Sequence, residues 1–104
     1  MKLRYTPEAI CDLDRIKDYI TDRLMNPTAA KNIIRSISDT CKQLKTQPHM
    51  GMELRKKTCR EIEGYCLISG VYMIIYDANE AVSILRILDT RVDYMRILFG
   101  AEQK

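Results

Sequence analysis

Six basic side chains in the second half of the chain carry the most informative chemistry. They are Arg55, Lys56, Lys57, Arg60, Arg86 and Arg91. If they converge, guanidinium and ammonium groups of this kind bind phosphates or carboxylates and stabilise negative charge in a transition state. Arg55–Lys57 could equally belong to a loop that is exposed to solvent and has no binding role. Arg86, inside a strand pattern, could instead cover apolar surface or pair with a carboxylate such as Glu61 or Glu63. The residues alone leave both roles open.

Conventional catalytic groups are scarce in this sequence. A Ser-His-Asp arrangement can draw only on His49, the one histidine, which lies in a loop flanked by proline and glycine. The four glycines are scattered singly, so there is no phosphate-binding loop, and no cofactor fingerprint is present. None of the four cysteines forms a CxxC pair. The sequence therefore predicts no metal and no cofactor, and does not indicate a conventional enzyme.

The size and charge of the chain indicate one small domain of ordinary composition. It has 104 residues, 46% of them hydrophobic and 30% charged, which predicts a single folded domain over residues 1–104. The net charge of +3 permits a polyanionic partner but does not require one. Because the sequence shows neither a signal peptide pattern nor an apolar run that could cross a bilayer, we expect free thiols, a cytoplasmic location and no membrane partner.

Two helices are predicted from matching start signals. Thr6-Pro7 and Asn26-Pro27 each place a capping side chain before a proline at the first helical position. Apolar stripes at three- and four-residue spacings follow: Ile10, Leu13, Ile16, Ile20 and Leu24 in the first helix, and Ala30, Ile33, Ile34, Ile37, Cys41 and Leu44 in the second. The linker at Met25–Asn26 is so short that the helices must form an αα-hairpin.

Strand patterns surround this hairpin. "MKLRY" suits a first strand, and β-rich runs cover residues 59–69, 70–77 and 81–89, whereas residues 47–57 read as a loop. Strict alternation in the last strand places Val82, Ile84, Arg86 and Leu88 on one face. A short helix is expected from Thr90 to Phe99. The order β-α-α-β-β-β-α predicts an α+β fold in which the hairpin packs on a mainly antiparallel four-stranded sheet, with the other sheet face half open.

The chain resembles the RelE/ParE superfamily of toxins from type II toxin–antitoxin systems. The resemblance runs nearly end to end, through the opening "YTPEA", the segment "GVYMIIYDANEAVSILRIL" and the closing "DTRVDYMRILFG". It implies the same α+β fold. It also implies one of two activities, because RelE-like members cleave messenger RNA on the ribosome and ParE-like members inhibit DNA gyrase. The fold alone does not choose between them.

The RelE pattern fits this sequence poorly when it is carried over by position. Its basic strand residues would fall near Gly64, Cys66 and Met73, none of which is charged. Only Arg91 and Tyr94 match its C-terminal part, so these two would be catalytic if the chain were an interferase. The segment 89–93, Asp-Thr-Arg-Val-Asp, keeps the arginine and aspartate of many ParE-like sequences but lacks their histidine and glycine.

The resemblance therefore implies a ParE-like toxin that binds a macromolecular target, most plausibly DNA gyrase, and is neutralised by a cognate antitoxin. The residues expected to contact target or antitoxin are Arg55, Lys56, Lys57, Arg60, Arg86, Arg91, Asp93 and Tyr94. One alternative is a ribosome-dependent mRNA interferase, whose partners would be the ribosome and mRNA. A second is a degenerate toxin that acts only as an antitoxin-binding module.

Overall fold

The computed structural model describes residues 1–54 and 64–91. The helices are α1 (Pro7–Asp18), which continues into a π-helical turn (Tyr19–Arg23), and α2 (Pro27–Gln43). The strands are β1 (Lys2–Tyr5), β2 (Met52–Glu53), β3 (Tyr65–Ser69), β4 (Tyr72–Ala78) and β5 (Ala81–Asp89). The first part of the predicted 59–69 strand and most of the predicted 90–99 helix lie outside the described residues. The mixed fold confirms the predicted α+β class.

Both helices begin where the sequence predicts. The Thr6 hydroxyl accepts a hydrogen bond from the Ala9 amide at 3.2 Å, and the Asn26 side-chain oxygen accepts one from the Ala29 amide at 3.0 Å. Each cap satisfies an amide that has no partner inside its helix. The end of the first helix differs from the prediction of a uniform helix to Leu24, because its last five residues form the π-helical turn.

The sheet has five strands in the order β1-β5-β4-β3-β2, so the prediction of four strands is wrong. β1 is parallel to β5, and the other neighbours are antiparallel. The additional strand, Met52–Glu53, pairs with Cys66 and Tyr65 inside the segment predicted as a loop. Two residues are too few to show alternation, so this strand could form only through tertiary pairing.

Close packing at Gly51 holds the start of β2 against β4. Its amide donates to the Tyr76 hydroxyl at 3.0 Å. A Cβ at this position would lie 2.6 Å from that oxygen and 2.7 Å from the Cys66 carbonyl oxygen, both closer than van der Waals contact permits. Glycine is therefore the residue that lets the loop approach the sheet here.

Apolar clusters occupy both faces of the sheet. The larger one joins the helices to β4 and β5 and includes Ile37, Ile74 and Ile84, as predicted for the hairpin face. The opposite face carries a second buried cluster that includes Met73 and Ile75. The prediction that this face is half open is therefore wrong at its centre. The alternation pattern took no account of Leu54, which packs there.

A β-bulge at Leu85 changes which side chains of β5 share a face. Ile75 pairs with Arg86, but the next residue, Tyr76, pairs with Ile84. Ile87 therefore joins Val82 and Ile84 in the hairpin-side cluster, while Leu88 packs in the opposite cluster with Leu85 beside it. The predicted common face for Val82, Ile84, Arg86 and Leu88 is wrong, because an inserted residue shifts the two-residue period by one.

Candidate functional site at the end of the last strand

On the edge opposite β4, the second half of β5 runs beside α1 and not beside β1. Parallel pairing with β1 ends at Tyr5 and Ile84, where the chain turns into the helix. The Thr6 amide donates to the Ile84 carbonyl oxygen at 3.0 Å, and the Thr6 hydroxyl lies 3.0 Å from the carbonyl oxygens of both Ile84 and Leu85. These bonds place the first turns of α1 along the edge of β5 that β1 leaves uncovered.

Asp12 of α1 lies at that edge, and each of its two carboxylate oxygens accepts two hydrogen bonds. Its side chain is 2% exposed. One carboxylate oxygen accepts from Arg86 Nε at 2.8 Å and from the Ile87 amide at 2.9 Å. The other accepts from Arg86 Nη2 at 3.0 Å and from Arg15 Nη1 at 3.1 Å. Two oxygens with four donors make a fully satisfied carboxylate, so Asp12 is bound to strand backbone and side chain together.

Arg86 therefore has a structural partner in Asp12, whereas Glu61 and Glu63 lie outside the described residues. Its hydrogen bonds to Asp12 are the main reason why the pKa of the guanidinium is raised. The side chain is 27% exposed, so one side of it still reaches solvent. The predicted role of Arg86 in contacting a partner protein remains a prediction. Asp12 and Ala9 are the buried residues of α1, and neither belongs to the apolar stripe predicted for this helix.

The corner after β5 is held by hydrogen bonds to the β3–β4 turn. The amide and the hydroxyl of Thr90 both donate to the Val71 carbonyl oxygen at 2.8 Å. The next residue, Arg91, forms a two-pronged ion pair with Asp89, with Nε–Oδ1 and Nη2–Oδ2 distances of 2.9 and 2.6 Å. The Arg91 amide also donates to Asp89 at 2.8 Å. Arg91 is thus fixed in direction although its side chain is 66% exposed.

Aromatic side chains lie around this ion pair. Tyr72, directly opposite Asp89 in the sheet, is buried, and its pKa is raised mainly by burial and then by the Asp89 charge. Tyr19, on the π-helical turn, is half exposed, and the Arg23 guanidinium carbon lies 5.8 Å from its ring centroid. The pKa of Arg91 is raised mainly by its hydrogen bonds to Asp89 and, to a smaller extent, by the Tyr72 and Tyr19 side chains. We call Tyr19, Arg23, Tyr72, Asp89 and Arg91 the C-terminal rim.

Sequence reasoning identified only part of this rim. It singled out Arg91, but it missed the contributions of Tyr19 and Arg23, which the π-helical turn brings into the cluster. No period in the sequence marks a π-helical turn inside an otherwise helical pattern, so the sequence offered no signal for them.

Other predicted site residues cannot be placed in the rim. Arg55, Lys56, Lys57, Arg60, Asp93 and Tyr94 lie outside the described residues, and their roles remain predictions. His49 is exposed and meets the Tyr65 ring edge to face at 5.4 Å, consistent with a surface loop residue. In residues 1–54 and 64–91, no group of histidine, cysteine or carboxylate side chains could hold a metal ion. No helix in these ranges has the length and apolar character to cross a membrane.

The Asp89–Arg91 pair should persist through the physiological pH range. Arg91 holds the pKa of Asp89 below its ordinary value of 3.8, and a carboxyl with a lowered folded-state pKa stabilises the fold above its unfolded pKa. That contribution is lost only as the pH falls through the lowered value. We expect an NMR titration to show an Asp89 pKa below 3.8 in the wild type and an upward shift in Arg91→Ala. An unchanged Asp89 pKa in the variant would contradict the pairing.

Comparison with known proteins agrees with the fold. The family model for the ParE toxin of type II toxin–antitoxin system, parDE, matches residues 3–94. A similar solved structure is the chromosomal ParDE TA system from P. aeruginosa, with 25% sequence identity and a TM-score of 0.70. That match covers 86% of this chain and 95% of the other. No curated protein sequence matches the chain.

Proposed function

Because this chain belongs to the ParE toxin family of type II toxin–antitoxin systems, we propose that it inhibits growth by binding DNA gyrase. A cognate antitoxin keeps it inactive until it is released. Both events take place in the cytoplasm, which is where we place the protein. The observation that carries the choice of a binding function is the C-terminal rim, whose exposed side chains are arginine and tyrosine. These residue types dominate binding energy at protein interfaces.

The sheet surface also supports binding over RNA cleavage. Of the three positions near which a RelE-like enzyme would carry basic side chains, Gly64, Cys66 and Met73, the last two are 4% and 1% exposed. Both belong to the buried cluster opposite the hairpin, so neither can act on a phosphate. In the rim, the Asp89 carboxylate is held ionised by Arg91 and both of its oxygens accept from that residue. Such a carboxylate is a poor proton acceptor for a cleavage reaction.

Two reconstituted reactions test this proposal. Purified toxin is added to a gyrase supercoiling reaction and, separately, to ribosomes that are translating a defined mRNA. We expect inhibition of supercoiling, reversal by the antitoxin, and intact mRNA. Cleavage of the mRNA with undisturbed supercoiling would replace the proposal with the interferase alternative. If the protein neither inhibits supercoiling nor cleaves mRNA but still binds the antitoxin, it is a degenerate antitoxin-binding module.

A further inference from the structure

The turn between the two helices holds a methionine in a backbone conformation that favours glycine. Met25 has a φ of +51° and is the one residue other than glycine with a positive φ in residues 1–54 and 64–91. A side chain in this left-handed region crowds its own backbone, so the position after a helix end is most often glycine, and sometimes asparagine. Met25 therefore destabilises the fold at a place where glycine would stabilise it.

Hydrogen bonds of the next residue hold this strained turn in place. The Asn26 amide donates to the Ile20 carbonyl oxygen at 3.3 Å and closes the end of the first helix, while the Asn26 side-chain oxygen caps α2. Because Asn26 belongs to both helix ends, the backbone of Met25 is held between them. Backbone strain that the surrounding structure maintains in this way is found most often at functional sites.

The strained residue presents an apolar side chain to water. Met25 is 83% exposed, the largest value among the large apolar side chains in the described part of the chain, and Leu24 beside it is 59% exposed. We call Leu24 and Met25 the hairpin tip. The Met25 side chain does not stabilise the fold, because it adds backbone strain and buries little surface. Methionine is, however, enriched at surfaces that bind other proteins, because its flexible side chain adapts to a partner.

The hairpin tip is continuous with the C-terminal rim. Leu24 directly follows Arg23, and the Arg23 guanidinium carbon lies 5.8 Å from the Tyr19 ring centroid. The pKa of Arg91 is raised first by Asp89 and also by Tyr19, so Tyr19 lies near the Asp89–Arg91 pair. Exposed apolar side chains next to arginine and tyrosine have the composition found at the centre of protein–protein interfaces.

The charges beside the tip favour a protein partner. Asp18 and Asp22 are exposed on the same helical turns as Tyr19 and Arg23. These carboxylates offset the arginines of the rim, so this surface has no strong attraction for DNA or for an anionic membrane. A protein surface with an apolar pocket would remove both residues of the tip from water.

We infer that the hairpin tip inserts Met25 into an apolar pocket on gyrase, beside the surface that contacts the C-terminal rim. The inference rests on the proposed function, since gyrase is the partner it names. It explains the strain at Met25: the turn holds an apolar side chain in a fixed place for the target, at the expense of stability. A turn that is already ordered loses little backbone freedom on binding, so burial of Met25 contributes fully to affinity.

The variant Met25→Gly should change stability and inhibition in opposite directions. Its Tm should rise by about 4 °C, because glycine adopts a positive φ without strain. The toxin concentration that halves gyrase supercoiling should rise about ten-fold, because the apolar contact is lost. Met25→Leu keeps an apolar side chain of similar size, so we expect a change of less than about three-fold. The matched control is Met50→Gly, which removes an exposed methionine past the other end of α2 and should inhibit like the wild type.

The possible results separate the tip from the proposed function. A Met25→Gly protein that inhibits supercoiling like the wild type would overturn the inference and leave the proposed function standing. Weaker inhibition with a lowered Tm would also overturn it, since glycine would then relieve no strain at this position. Weaker antitoxin binding, or loss of a toxin dimer in sedimentation, with unchanged inhibition would assign the tip to the antitoxin or to a second copy of the chain. A wild-type toxin that does not inhibit supercoiling would overturn both the inference and the proposed function.

Discussion

Arg86→Met is expected to lower the free energy of unfolding by about 3 kcal/mol. The substitution replaces the methylene stem with an unbranched apolar side chain but removes both guanidinium bonds to Asp12. Asp12 would then remain buried at 2% exposure, with only the Ile87 amide and the largely exposed Arg15 as donors. A buried carboxylate that loses its main partner is costly because water cannot replace the lost bonds. Chemical denaturation with an unchanged m-value would measure the loss.

Two further variants show whether the loss comes from the buried charge. Asp12→Leu/Arg86→Met removes both charges and should be less destabilised than the sum of the two single changes, since no buried ion is left unpaired and Arg15 is exposed to solvent. Arg15→Met removes an ion pair to the same carboxylate, but its side chain is 69% exposed, so we expect less than about 1 kcal/mol. Equal losses for Arg15→Met and Arg86→Met would show that Asp12 does not depend on its buried partner.

The hydrogen bonds at Asp12 also show which kinds of contact can be predicted from the sequence alone. Helix starts at Thr6 and Asn26 depend on neighbouring residues, and these were predicted correctly. The partner of Arg86 depends on where α1 crosses β5, which in turn depends on β1 ending at Tyr5. Seventy-four residues separate Arg86 from Asp12, and no local pattern relates them. The sequence therefore contained no indication that Asp12 is a partner of Arg86.

Irregular backbone was the second feature that could not be predicted from the sequence. The Leu85 bulge and the π-helical turn each break a regular period by a single residue, and periodicity is the signal on which sequence reasoning depends. The bulge moved Ile87 to the hairpin side of the sheet. The π-helical turn brought Tyr19 and Arg23 to the rim. The position of Arg91 could be predicted because it comes directly after a well-marked strand, whereas Tyr19 and Arg23 come from a distant part of the chain.

If the protein binds gyrase as proposed, Arg91→Ala is expected to reduce that affinity by roughly thirty-fold or more, with little change in stability. The residue is exposed, and Asp89 holds its guanidinium in a fixed direction, so the side chain loses little conformational freedom when it binds. Arg91→Lys retains the charge but not the planar, two-pronged geometry, and we expect an intermediate loss. The concentration of toxin that halves supercoiling measures both effects, and thermal unfolding confirms that the fold is intact.

Arg15→Ala is the matched control for this experiment. Arg15 is an exposed arginine that also pairs with an aspartate, but it lies on α1 and is not part of the rim. If gyrase contacts the rim, Arg15→Ala should inhibit supercoiling like the wild type while Arg91→Ala should not. Equal inhibition by all three proteins would remove Arg91 from the target surface. If the toxin instead cleaved mRNA, Arg91→Ala should abolish cleavage, because Arg91 is one of the two residues that the resemblance to RelE-like enzymes would make catalytic.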